Sequence, residues 1–326
     1  MPTLTDPWSL GGLPIANRVV LAPLAGIGNW FVRLQAKRFG AGLVTSEMVS
    51  SHAVHYGNER TCTELLRVHP DEHPVAFQLF GSDPDVMASA AERVAAAGAD
   101  LIDLNMGCPV PKVCKTGAGA ALLADPDKAV AVAAAAGRGS GLPVTVKLRP
   151  GQRPGERDGV VLARRLVEEA EVAGVAFHPR HASQQHKGRP DYGLARELVQ
   201  ELPVPVTISG GLRDADAARQ AFAQTGAAAV MLARGSLGNP WLFGELLGTR
   251  SHEPRAEEVV EELEWVMQRA EEHLGPERAA RYLRKFYPWY LERLGGGPAL
   301  QDTLQRTETL VAARAALRAP TLAAAA

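Results

Sequence analysis

Cysteine is scarce in this 326-residue chain: Cys62, Cys108 and Cys114 are the whole complement. An odd number of thiols in a long chain argues against a disulfide framework and fits a reducing compartment. Cys108 and Cys114 have no second pair near them, which argues against a structural zinc site, and no metal is expected. Long apolar runs are missing as well. None reaches the roughly 20 residues needed to span a bilayer, so no membrane partner is expected. Met1–Leu10 lacks the basic start and apolar stretch of a signal peptide, and a cytoplasmic location follows. A dominant charge is lacking too. The net charge is −1, where a nucleic-acid binder is usually basic.

The charge is unevenly spread. From Gly275 onward Arg278, Arg281, Arg284, Lys285, Arg293, Arg306, Arg314 and Arg318 stand against Glu277, Glu292, Asp302 and Glu308, a local excess of +4. Just before it, Glu257, Glu258, Glu261, Glu262 and Glu264 nearly run together. Two solvated helix faces of opposite sign account for this pattern as well as a binding patch does.

What the chain does have is alternation. Short apolar runs at Arg18–Ala22, Gly42–Ser46, Val75–Leu79, Leu101–Leu104, Val144–Lys147, Val175–Phe177, Val206–Ile208 and Ala229–Leu232 read as buried parallel strands. Helical segments lie between them. Pro84–Ala97 follows the N-cap Asp83, and Asp125–Ala136 starts with Asp then Pro. Arg157–Ala173 stops before Gly174 and Arg213–Gln224 near Gly226. Eight such units predict an α/β fold, a (β/α)8 TIM barrel. The rival, an open doubly wound sheet, lacks the GxGxxG that would follow its first strand. A Gly-, Ser- and Pro-bearing linker at Gly248–Glu253 then leads into Ala256–His273, Arg278–Leu294 and Leu300–Leu317, read as a small all-helical C-terminal domain. The expected division is a barrel over residues 1–248 and the helical domain over 249–326.

In this fold chemistry sits at the C-terminal ends of the strands. Those ends read Ala22-Pro23-Leu24, Glu47-Met48, Gln78, Asn105-Met106-Gly107-Cys108-Pro109, Lys147-Leu148-Arg149, His178-Pro179-Arg180, Ser209-Gly210-Gly211 and Ala233-Arg234-Gly235. Together they describe a polar cup over an apolar barrel, as a ligand site requires. The two Gly-rich turns stand where this fold tends to bind phosphate, and Arg234 adds a charged donor. Lys147 is read three ways: a structural cation with an acid partner, a Schiff-base lysine, or a charge beside the N1–C2 edge of a flavin. Gln78 and Asn105 would bond a flat heterocycle or the backbone. Cys108 is either a small buried hydrophobe or, mostly protonated at neutral pH, an acid able to hand a proton to carbon.

At this point the chain resembles the tRNA-dihydrouridine synthases, most closely the bacterial B-type subfamily. The segments that carry the resemblance are APLAG at 22–26, TSEMVS at 45–50, YGNE at 56–59, PVAFQLFGSDP at 74–84 and LIDLNMGCPVPKVCKTGAGAALL at 101–123. PVTVKLR at 143–149, VMLARGSLGNPWLF at 230–243 and RKFYPWYL at 284–291 complete them. The resemblance implies a barrel that binds FMN, a helical domain that helps to grip tRNA, and NADPH as the electron source. It implies Cys108 as proton donor to C5 of uracil while hydride from FMN N5 reaches C6. It assigns Ala22, Pro23, Leu24, Gln78, Lys147, His178, Ser209, Gly210, Gly211, Ala233, Arg234 and Gly235 to the cofactor. Asn105, Arg149 and Arg180 go to the flipped-out uridine, and Arg281, Arg284 and Lys285 to tRNA phosphates. A monomer and no DNA partner are expected. The chain departs from the family where Ser209-Gly210-Gly211 replaces Asn-Gly-Asp, and at Pro179 and His181, where glycine and threonine are usual. Two rivals remain: an FMN barrel enzyme acting on a free small molecule, and a flavin-free tRNA-binding protein.

Overall fold

The computed structural model describes the chain from residue 2 to residue 324, with side chains through residue 318. Its contacts divide it into two compact units, Met1–Arg234 and Gly235–Ala326. That division falls before the linker at Gly248–Glu253, because the helix Trp241–Leu246 groups with the residues that follow it.

In the first unit the parallel strands are β1 Val19–Leu21, β2 Leu43–Thr45, β3 Val75–Phe80, β4 Leu101–Asn105, β5 Val144–Leu148, β6 Gly174–Phe177, β7 Val206–Ser209 and β8 Ala229–Leu232. Each pairs with the next in sequence, and β8 pairs with β1, so the sheet closes. The expected TIM barrel is present, and a short strand, Val49–Ser50, adds to the β3 edge. Besides a single turn at Pro111–Cys114, the helices are α1 Trp30–Arg38, α2 Ser51–His55, α3 Pro84–Ala96, α4 Pro126–Ser140, α5 Asp158–Ala170, α6 Tyr192–Glu201 and α7 Ala215–Thr225. The Asp caps act as expected: Asp83 accepts from the N–H groups of Asp85 and Val86, and Asp125 from that of Lys128.

Two helix ends differ from the sequence reading. Helix α4 runs on through Gly137 and Gly139 to Ser140, and Gly139 lies against α3, where a Cβ would collide with the Ala88 carbonyl oxygen. The glycine there permits close helix packing and does not stop the helix. Helix α5 stops at Ala170, where Glu171 takes a left-handed conformation at φ 53°.

A feature the sequence reading missed is an N-terminal hairpin. Trp8–Leu10 and Leu13–Ile15 pair antiparallel around Gly11-Gly12, both at positive φ. Leu10 and Ile15 pack with Val20, Leu43, Ala76, Leu101, Ala176, Ala229 and Met231. Leu43, Leu101 and Ala229 are the first residues of their strands, so the hairpin fills the floor of the barrel.

In the second unit the helices are α8 Trp241–Leu246, α9 Ala256–Leu274, α10 Pro276–Leu283, α11 Tyr287–Leu294, α12 Pro298–Arg306 and α13 Leu310–Ala324. Val259, Leu263, Val266, Met267 and Ala270 form the buried stripe of α9. The two later helices expected from sequence are each broken. Pro288 has no N–H to give the Arg284 carbonyl, and Gln305 Nε2 donates to that oxygen instead at 2.8 Å. Thr307 is extended, and Thr309 caps the next helix by accepting from Ala312 N–H at 3.2 Å. Among the described residues no helix is long and apolar enough to cross a membrane.

Candidate active site

Side chains along a strand alternate between the two faces of the sheet. The inward set of the barrel therefore recurs every second residue. One layer holds Ala76, Asp103, Thr145, Ala176 and Thr207. The next layer toward the strand tips holds Gln78, Asn105, Lys147, His178 and Ser209, five of the residues singled out from sequence. The ladder sets Asn105 against Lys147 and Gln78 against Asp103.

The Cys108 loop is held from both sides. Asn105 Oδ1 accepts from the N–H groups of Cys108 (2.9 Å) and Gly107 (3.3 Å). The Cys108 carbonyl accepts from Ala120 N–H at 2.9 Å and from Cys114 Sγ at 3.3 Å. Gly107 passes close to the β5 backbone; a Cβ there would lie 3.3 Å from the Lys147 carbonyl oxygen. The thiol is half-buried. Burial raises it above the ordinary thiol range, with Cys114 adding to the rise, while a backbone hydrogen bond at Val110, Arg149 and Lys147 oppose it. Burial thus favours the neutral S–H form over the thiolate.

Lys147 Nζ donates to Ser209 Oγ at 3.3 Å. Burial and then Arg149 lower it to about 8, against the opposite pull of Asp103 and Cys108. Arg149 is buried, and its Nη1 donates to the carbonyls of Arg180 (3.0 Å), His181 (3.3 Å) and Gln185 (3.0 Å), clamping that loop. Burial lowers it to about 10. Arg180 Nη1 lies 3.2 Å from His178 Nε2. A guanidinium only donates, so Nε2 accepts and the imidazole is neutral with its proton on Nδ1. Burial, followed by Lys147, Arg149, Arg180 and His186, holds His178 far below the ordinary histidine range. The Arg180 Nε is buried and has no partner.

Ser209-Gly210-Gly211 turns at φ 92° and 83°. A Cβ on Gly210 would lie 2.4 Å from the His178 ring, so glycine is needed for space as well as conformation. Tyr192 Oη donates to the Gly210 carbonyl at 2.8 Å. At the β1 tip Ala22 N–H donates to the Leu232 carbonyl, and the chain turns tightly as Gly28 N–H bonds the Leu24 carbonyl. Arg234 is exposed, and its charge reaches His186 and Arg180. Asp103, Tyr192 and His186 were missed from sequence. A carboxylate inside an apolar strand is the signal that marks Asp103; His186, stacked on His178 at 6.0 Å, sits on an irregular loop with no such signal.

The cup is thus walled by cations and amides, with glycine backbone at one rim. Its excess of positive charge and the orphan Arg180 Nε fit an anionic ligand. In the second unit Arg281 and Lys285 are exposed, whereas Arg284 is part-buried and donates to the Thr307 carbonyl at 3.3 Å.

Residues 20–326 match the family model described as dihydrouridine synthase. The chain belongs to the dihydrouridine synthase family. It is 34% identical to "tRNA-dihydrouridine synthase B" of Pseudomonas aeruginosa over 95% of this chain and 94% of that one. It is 36% identical to "Probable tRNA-dihydrouridine synthase" of Rhizobium leguminosarum over 89% and 90%. Among solved structures it shares its fold with the old yellow enzyme homologue of Zymomonas mobilis (TM-score 0.57, 15% identity, 77% and 94% covered). Morphinone reductase has the same fold (TM-score 0.56, 17% identity, 79% and 93% covered). As a member of its family the chain is an enzyme, a flavin-dependent oxidoreductase.

Proposed function

We propose that the chain reduces the C5=C6 bond of uridines in tRNA, with FMN as the flavin, NADPH as the electron source and Cys108 as the proton donor. The observation that carries this reading is the half-buried Cys108 thiol on a loop pinned through its backbone at the mouth of a cationic cup. The relatives' names supply the substrate. FMN, when bound, supplies hydride to C6 of the uracil. Lys147 and His178 would meet the ring and ribityl chain, with Gln78 behind them. Ser209, Gly210, Gly211, Ala233, Arg234 and Gly235 would hold the phosphate end, and Ala22-Pro23-Leu24 would border the ring. The target base leaves its stack to enter the cup, which costs a few kcal/mol and less where the tRNA loop is already distorted. Arg149 and Arg180 hold the rim of the cup by their backbone contacts, and Asn105 holds the loop that presents the Cys108 thiol to C5. The enzyme acts as a cytoplasmic monomer on tRNA and not on DNA. The deciding experiment is mass mapping of dihydrouridine in tRNA incubated with the purified protein and NADPH. No dihydrouridine in any tRNA would refute the proposal, and turnover of free uracil at a comparable rate would favour the small-molecule reading.

Lys147 sets a pH dependence for cofactor binding. With the free ammonium held near 8, the charged form dominates below that value and is lost above it. Binding an anion favours the charged form, so FMN affinity is full at pH 7 and weakens as pH rises beyond 8. Fluorescence titration of flavin-free protein should show the dissociation constant rising by about tenfold toward pH 10, one pKa unit of coupling. Lys147→Met should bind more weakly at pH 7 and flatten the profile. An unchanged slope in that variant would remove Lys147 from the site.

The helical unit is proposed to contact tRNA phosphates through Arg281, Arg284 and Lys285. Because Arg284 also braces Thr307, the informative variant is Arg281→Glu with Lys285→Glu. Its tRNA affinity at low salt should fall about tenfold or more, with a shallower salt dependence, while flavin content stays at one per chain. Filter binding across a salt series checks this, and wild-type affinity would refute the patch.

A further inference from the structure

Asp103 lies in the middle of β4 between the buried apolar residues Ile102 and Leu104, and is itself 2% exposed. The chemistry proposed above makes no use of it. Burial pushes its carboxyl up to about 6, against the opposing hydrogen bonds of Gln78 and Thr145. Both of its oxygens are engaged. Thr145 Oγ1 donates to Oδ1 at 2.7 Å, and Gln78 Nε2 donates to Oδ2 at 2.6 Å. The bonds continue in one direction. Asn105 Nδ2 donates to Gln78 Oε1 at 2.8 Å, and Asn105 Oδ1 accepts from Cys108 N–H at 2.9 Å and Gly107 N–H at 3.3 Å.

The two amides have near-symmetric shapes, so the ends of this chain decide which way each faces. A backbone N–H only donates, so Asn105 must turn its oxygen to the loop. An ionised carboxylate only accepts, so Gln78 must turn its nitrogen to Asp103. Both ends demand the same direction, and in a dry interior a reversed link would leave donor against donor.

We propose that Asp103 is a positioning residue whose acceptor oxygen sets the direction of the Gln78–Asn105 hydrogen-bond chain and so holds the loop that presents Cys108. This rests on the reading of Cys108 as proton donor. The requirement is for an acceptor facing Gln78, not for negative charge. The Thr145 hydroxyl donates or accepts, so an amide at position 103 can point its nitrogen at Thr145 and its oxygen at Gln78. Asp103→Asn therefore preserves the chain, and Asp103→Leu, of similar volume, leaves Gln78 Nε2 with no acceptor.

In flavin-loaded protein, reduction by NADPH should change equally in the two variants, because both remove the same charge from beside Lys147. Transfer to tRNA, followed as flavin reoxidation in stopped flow, should stay within about twofold in Asp103→Asn and fall about tenfold or more in Asp103→Leu. Equal losses in the two variants, or full transfer in folded Asp103→Leu, would overturn the proposal.

A second test needs neither catalysis nor the leucine variant. Asn105→Asp sets an oxygen against Gln78 Oε1, and Gln78 cannot turn round without setting its own oxygen against Asp103. Adding Asp103→Asn allows the whole chain to run in reverse. The new amide donates to the turned Gln78, and the new carboxylate accepts from Gln78 and from Cys108 N–H. Asn105→Asp alone should lower Tm by about 5 °C or more, Asp103→Asn alone should shift it little, and the double variant should regain more than half the loss. Additive losses would refute the chain. Full activity in Cys108→Ala would sink the proton-donor reading and leave this coupling standing, so the two failures are distinguishable.

Discussion

Cys108→Ala should purify yellow, accept electrons from NADPH at the wild-type rate, and form dihydrouridine about 10²–10⁴-fold more slowly, the usual range for loss of a positioned general acid. The geometry separates these outcomes. The Cys108 backbone ties the loop to Asn105 and Ala120, while the sulfur bonds the Val110 backbone within the loop, so removing the sulfur leaves the two anchoring ties in place. In the proposed chemistry the sulfur contributes the S–H form that burial favours, and alanine offers no replacement. Single-turnover assays with pre-reduced protein, read by mass spectrometry of the tRNA, would measure the effect. Activity within a few-fold of wild type would strike Cys108 from the chemistry. Cys114 also touches the loop, through the Cys108 carbonyl. Its replacement by alanine removes one weak sulfur bond and should have a small effect in the same assay.

Gly210→Ala should cost the protein both its flavin and about 2–4 kcal/mol of stability. Two independent reasons add. The residue sits at φ 92°, where a Cβ is strained. That Cβ would also lie 2.4 Å from two atoms of the His178 imidazole, which is buried and held by Arg180. Moving His178 disturbs the cup, and moving the turn disturbs its neighbour Gly211. Gly226→Ala is the matched control. It has φ 69° but no atom within 4 Å of the new carbon, so only strain applies, about 1 kcal/mol. Thermal melts of the two variants, with flavin absorbance per chain, test the contrast. Equal melting temperatures would mean that the imidazole yields freely and that the turn is not tightly packed.

The barrel was legible because parallel strands buried on both faces write themselves as apolar runs, and all eight such runs are strands. The site was legible because the fold fixes where strand tips go, so Gln78, Asn105, Lys147, His178 and Ser209 could be gathered without coordinates. Other features were hidden for physical reasons. The Trp8–Ile15 hairpin has three-residue strands, too short for alternation to show. The run of α4 past Ala136, through Gly137 and Gly139, was hidden because a close helix crossing at Ala88 leaves no local trace. The break at Pro288 is plain in hindsight, but its stability depends on Gln305, distant in sequence. The direction of the Asp103–Gln78–Asn105 chain is a property of two strands in register, β3 and β4, together with the loop after β4, which no one segment encodes.

The hairpin under the barrel has a kinetic meaning. With Leu10 and Ile15 filling the floor, whatever enters the cup arrives from the strand-tip side and departs by the same route. In the proposed reaction, nicotinamide and uracil would both reach the flavin through that one opening, and neither could come up through the floor.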